Sequence, residues 1–160
     1  DLERAGLARF EESYLLAVRG RRHAAAYLLG YYVEIALKAI FFKCFGLAPG
    51  DTVRKKDLRA AGQLVHERGV AEDHEQYHSP VFWAKAIVVL RESVGFQTAS
   101  SLTSELLWRA QRMASNWTVE MRYTEGLVQA IDWKNLYEDA LWLRANQEAL
   151  LADQAVTLGR

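Results

Sequence analysis

The stretch GYYVEIALKAIFFKC, residues 30–44, decides the fold. It is apolar almost throughout, yet it carries Glu34 and Lys38 in its middle. With the preceding residues it forms an apolar run from about Ala24 to Phe45, bounded by Gly46, Pro49 and Gly50. Glycine and proline stop helices, so the run predicts one helix over 21–45, a spine at about 1.5 Å per residue. The run approaches the length of a membrane span, but Glu34, Lys38 and Lys43 interrupt it, and a buried central helix is expected.

On a helical wheel Tyr27, Tyr31, Glu34 and Lys38 are spaced by four, three and four residues and share one stripe. Leu28, Tyr32, Ile35, Ala39 and Phe42 form a second stripe about 100° away. The spine is therefore apolar around most of its circumference, with one narrow polar line. Glu34 four residues ahead of Lys38 is the favourable order for an intrahelical pair, worth only about 0.2–0.5 kcal/mol when exposed. Inside a packed core each charge requires full pairing. Three readings stay open: the line faces a groove, a group from elsewhere completes it, or the pair is solvated. The leading candidate for a completing group is Arg122 in NWTVEMRYTEG, residues 116–126, flanked by Trp117 and Tyr123.

Outward from the spine, the chain has only two prolines, is rich in Ala, Leu, Glu and Arg, and shows no sustained strict alternation of polar and apolar residues. This is an all-α pattern. Leu7, Phe10, Tyr14 and Val18 recur at helical spacing and predict a first helix over 2–18, broken at Gly20. A more polar helix is expected over 53–68, closing on Gly69, with VAEDHEQYHS (70–79) as a loop. Ser79 before Pro80 is a helix start and opens a helix over 80–93. A loop over 95–101 leads to a helix over 104–115. Asp132 caps a last helix with Trp133, Leu136, Tyr137, Ala140 and Leu141 on one stripe. The expected architecture is a single domain over 1–160, an up-and-down bundle of five to six helices with a long central second helix.

Twenty basic and twenty acidic side chains leave no net charge, which removes any bulk electrostatic argument for nucleic acid. Residues 1–69 hold twelve Lys or Arg against eight Asp or Glu, and the remainder the reverse. That asymmetry gives one basic face or helps the two halves, or two copies of the chain, attract each other. The single cysteine, Cys44, forms no intramolecular disulfide, so the expected setting is cytoplasmic.

The residues AAAYLLGYYVEIALKAIF (24–41), with Gly30-Tyr31-x-x-Glu34-x-x-Leu37-Lys38, resemble the second helix of the HEPN-like family, named for nucleotide binding in higher eukaryotes and prokaryotes. In that family a later segment often carries an aromatic residue before an Arg-Tyr pair, and Trp117 with Arg122-Tyr123 stands where that pair is expected. The resemblance implies a small helical domain that forms homodimers. It also implies a ligand groove around Tyr31, Glu34, Lys38, Trp117, Arg122 and Tyr123 for a nucleotide or RNA, or a protein partner such as a nucleotidyltransferase of a toxin–antitoxin or defence system.

Catalytic members of the family are metal-independent ribonucleases with an Arg-x4–6-His motif. Histidine moves the proton of the ribose hydroxyl or the leaving oxygen, and arginine holds the phosphate. No histidine follows Arg122 in this chain. The spacing occurs as Arg59-x6-His66 and Arg68-x5-His74, both earlier than the motif belongs, so Arg59 and His66 are weak catalytic candidates and a non-catalytic binding module is expected. His74, Glu75 and His78 offer no third ligand fixed by spacing and read as a solvated loop, so neither metal nor other cofactor is expected. The cluster RGRRH, 19–23, reads as a solvated turn or as a phosphate contact.

Overall fold

The computed structural model describes residues 2–48, 50–69, 77–93, 101–123 and 131–152, the side chains of Arg122, Tyr123 and Ala152 excepted. These residues form an all-helical bundle of six α-helices: α1 (Leu2–Val18), α2 (Arg22–Cys44), α3 (Lys55–Glu67), α4 (Pro80–Ser93), α5 (Ser101–Asn116) and α6 (Trp133–Ala152). A short 3-10 segment, Val119–Tyr123, follows α5.

The first four helices begin and end within two residues of the expected limits, and α6 begins directly after the expected cap, Asp132. α5 starts three residues before the expected Ser104, because Ser101, Leu102 and Thr103 continue its pattern, and Thr103 is buried. The expected caps form: the Phe82 N–H donates to Ser79 Oγ at 3.3 Å, and the Asn135 N–H donates to Asp132 Oδ1 at 3.1 Å. Gly46 ends α2 with φ +94°, a left-handed conformation costly for other residues, and lets the Leu47 N–H return to the Phe42 carbonyl at 2.9 Å. Gly20, at φ +73°, makes the same reversal between α1 and α2.

The core lies around α2, which touches α1, α4 and α6, while α4, α5 and α6 close a ring with it. Contacts give the directions. Ser13 Oγ donates to the Ala25 carbonyl at 2.9 Å while Glu3 meets Lys43, so α1 runs against α2. Glu34 faces His78 and Phe42 faces Trp83, so α2 and α4 run the same way. α2 is also long and apolar enough to cross a membrane, but 72% of its most apolar window is packed inside the bundle. Leu29, Val33, Leu37, Ile40 and Phe41 are buried to 1% exposure or less, each such side chain contributing about 1.5–3 kcal/mol by burial.

Two expected stripes differ. On α1 the buried positions are Gly6, Phe10 and Ser13, whereas Leu7, Tyr14 and Val18 are 40%, 52% and 70% exposed. Close packing on α2 is the reason: a Cβ on Gly6 would lie 3.2 Å from Ile35 Cγ2, so the small residues face inward and turn the large ones out. On α6 the buried line is Leu136, Asp139, Ala140 and Leu143, and Leu141 is 41% exposed. The inward position between Leu136 and Leu143 is held by a carboxylate, which periodicity alone counts as polar and therefore outward.

Candidate functional site

Glu34 is the centre of the polar line. Its side chain is 4% exposed, so its charge needs partners, and among the described residues it has two. Lys38 Nζ, one helical turn on, donates to Oε1. His78 Nδ1 lies 3.2 Å from Oε1 and 3.1 Å from Oε2, which places the Nδ1–H on the carboxylate. His78 is itself held in place because Trp83 Nε1 donates to the Tyr77 carbonyl at 2.9 Å and locks the turn before α4. The same indole carries the Lys38 ammonium 5.5 Å from its ring centroid. A group from elsewhere therefore completes the line, and that group is His78. The side chain of Arg122, the expected partner, and that of Tyr123 beside it lie outside the described residues.

The upper half of the line is closed by the segment after α5. Trp117 is 2% exposed, donates through Nε1 to the Tyr27 carbonyl at 3.2 Å and meets Tyr31 edge-on at 5.7 Å. Its indole lies directly on Gly30, where an added Cβ would come within 2.1 Å of the ring. Further up, His23 Nε2 lies 3.0 Å from the Met121 carbonyl. Tyr31, Glu34, Lys38 and Trp117 are thus brought together as expected, but as an internal seam in which 117–121 and 77–79 cover α2. What stays open is a cleft of about 360 Å³ beside the seam, lined by His78, Ser79, Pro80, Trp117, Thr118 and Glu120, where the His78 side chain is 58% exposed. A hydrogen bond from the Thr118 side chain, helped by the Glu120 backbone N–H and by His78, holds the Glu120 carboxyl below the usual carboxylate range.

Replacing Glu34 by Gln removes the carboxylate that both Lys38 and His78 face. Hydrogen bonds to charged groups contribute about 1.5–3 kcal/mol, so urea unfolding is expected to show a loss in that range. His78→Ala costs less, because His78 is half in solvent. An unchanged unfolding midpoint in Glu34→Gln would show that the seam contributes nothing to stability.

The other candidates do not join the seam. Arg59 and His66 both sit on the exposed side of α3, two turns apart, and α3 packs on α4 at the edge of the bundle. Of the three metal-ligand candidates in the expected solvated loop, His74 and Glu75 lie outside the described residues and His78 is placed on Glu34. Among the described residues no group of three His, Cys, Asp or Glu side chains converges as a metal site does. Arg21, Arg22 and His23 line a shallow surface with Tyr27 at the start of α2. Burial pushes the Cys44 thiol up to about 11, against the opposing charge of Arg91, so it is protonated at neutral pH and a poor nucleophile.

A second polar centre escaped the sequence reading. Asp139 on α6 is 0% exposed and accepts from Arg109 Nη1 and Arg112 Nε, both at 2.7 Å, and from Arg112 Nη2. Glu105 accepts from Arg109 Nε at 2.7 Å. The hydrogen bond to Asp139 is the largest influence raising the Arg112 pKa above its ordinary value. The three-residue spacing of Arg109 and Arg112, with Glu105 one turn earlier, was visible in the sequence. Nothing local announced that Asp139 turns inward to meet them. Compared with protein-family models, curated proteins and solved structures, the chain matches none.

Proposed function

We propose that the chain is a non-catalytic, HEPN-like binding and assembly module that works in the cytoplasm as a homodimer. The observation that carries this reading is the outer face of α1. Leu7, Tyr14, Leu15 and Val18 are 40%, 52%, 58% and 70% exposed along one 17-residue helix, four of the seven large apolar side chains left in solvent among the described residues. A patch of this kind on one element marks a protein contact. A second copy is its natural occupant, because a two-fold axis sets the same face against itself, and a chain with no net charge does not repel its copy. The HEPN-like resemblance of residues 24–41 and 116–126 supports the same occupant.

This reading moves binding from the polar line to the surface. Glu34 and Lys38 use their charges on the seam and Tyr31 packs its ring against Tyr27 and Trp117, which argues for a structural role for them and leaves partner recognition to exposed elements. Arg59 and His66, on the exposed side of α3 at the edge of the bundle, receive no catalytic role in this reading.

Sedimentation of the wild-type chain is expected to give a dimer at about 50 µM, and the double variant Leu15→Glu, Val18→Glu a folded monomer. Both positions are more than half exposed, so the variant leaves the bundle intact. A monomeric wild type overturns the reading, and so does a double variant that still dimerises. A stoichiometric complex with a nucleotidyltransferase through this face, in place of the dimer, replaces one occupant by another.

A further inference from the structure

We propose that His78 Nε2 and the Glu120 carboxylate form an open binding site for a divalent cation of the zinc class. The Glu34 carboxylate fixes the imidazole. Nδ1 lies 3.2 Å from Oε1 and 3.1 Å from Oε2, so Nδ1 carries the ring proton and donates it. In the neutral ring the lone pair then belongs to Nε2, which meets no hydrogen-bond donor among the described residues. The His78 side chain is 58% exposed and that of Glu34 4%, so the ring reaches from a buried carboxylate to an open nitrogen.

A histidine that binds a metal through one nitrogen nearly always donates its other N–H to a carboxylate or a carbonyl. That bond fixes the ring and makes the free nitrogen a better electron-pair donor. Here the ring is placed in advance, because the Trp83 indole holds the neighbouring Tyr77 carbonyl at 2.9 Å. His23 gives the contrast: its Nε2 lies 3.0 Å from the Met121 carbonyl and is spent inside the bundle.

The walls of the cleft select a cation. His78 shares it with Ser79, Thr118 and Glu120, and neither lysine nor arginine is among the described residues that line it. The Thr118 side chain is turned onto Glu120, and Ser79 Oγ already accepts the Phe82 N–H at 3.3 Å. An anion finds no charged donor there, whereas a cation finds an imidazole lone pair and a carboxylate. Glu120, held ionised mainly by the Thr118 hydrogen bond, also feels His78, which puts the two groups in one neighbourhood. One nitrogen and one oxygen donor suit zinc, nickel or copper, while magnesium and calcium take oxygen ligands. Two protein ligands fall short of the three that a closed centre brings together, so water fills the remaining positions and the cation is held less tightly than in such a centre.

The test is calorimetric titration of the untagged chain with zinc chloride, using wild type, His78→Ala, Glu120→Gln, Glu34→Gln and, as a control, His66→Ala. Wild type and His66→Ala are expected to bind one zinc alike, His78→Ala to lose binding and Glu120→Gln to weaken it. Glu34→Gln is expected to bind about 10- to 100-fold more weakly, because the ring loses its carboxylate partner. Circular dichroism confirms that each variant is folded at the temperature of the titration. Zinc is also expected to raise the urea midpoint of wild type and to leave that of His78→Ala unchanged, since a ligand stabilises only the fold that binds it. No binding by wild type overturns the proposal, as does undiminished binding by folded His78→Ala or magnesium bound as tightly as zinc. The inference goes beyond the assembly reading and is separable from it: zinc binding that depends on His78 in a monomeric wild type sinks only the dimer.

Discussion

Gly30→Ala is expected to destabilise the bundle by about 3 kcal/mol, against the direction of helix propensity. In an exposed helix the same change gains about 0.8–1.0 kcal/mol. Here the new Cβ would sit 2.1–2.2 Å from Cδ1, Nε1 and Cδ2 of Trp117. The indole cannot yield cheaply, because it is 2% exposed, bonded to the Tyr27 carbonyl and packed on Tyr31. Forcing a methyl into such a contact costs about 1–3 kcal/mol and occasionally more. Urea unfolding measures the loss, and a red shift of tryptophan emission reports the displaced indole. The sharper check is a double-mutant cycle, since in a Trp117→Ala background the methyl has space and Gly30→Ala becomes stabilising. If Gly30→Ala stabilises the chain with Trp117 present, the indole does not lie on α2.

The second large effect is expected at Asp139. Removing one member of a buried ion cluster leaves the others uncompensated and costs about 3–5 kcal/mol. Asp139→Ala removes the acceptor of both Arg109 and Arg112, and their guanidinium groups are largely covered by Trp108 and Trp142. The loss appears in the urea midpoint, and the packing of α5 on α6 loosens with it. Replacing Asp139, Arg109 and Arg112 together by apolar residues of similar volume is expected to recover much of the stability, because the desolvation of all three charges is then avoided. A loss below about 1 kcal/mol in Asp139→Ala alone would mean that solvent reaches the carboxylate.

Much of the fold was legible in the sequence because its signals are local. The apolar run of α2, Ser79-Pro80 and Asp132 as caps, and Gly20 and Gly46 as reversals act through backbone conformation and short-range hydrogen bonds. The faces of α1 and α6 were read less well. Periodicity ranks residues by size and polarity, but α1 approaches α2 so closely that Gly6 and Ser13 face inward, and the inward slot of α6 is filled by an aspartate. The seam was half legible: the spacing of Tyr31, Glu34 and Lys38 marked the stripe and Trp117 its cover, while His78 had been placed in a solvated loop.

By itself the sequence determined the all-helical class, the approximate limits of the first four helices and the presence of charges in the central one, since each follows from contacts within about four residues. The tertiary structure alone decided what those charges meet. Glu34 with His78, Gly30 with Trp117 and Asp139 with Arg109 and Arg112 join residues 27 to 87 positions apart. The bundle brings them together by packing apolar faces, and a buried charge then takes whichever partner that packing places within hydrogen-bond reach.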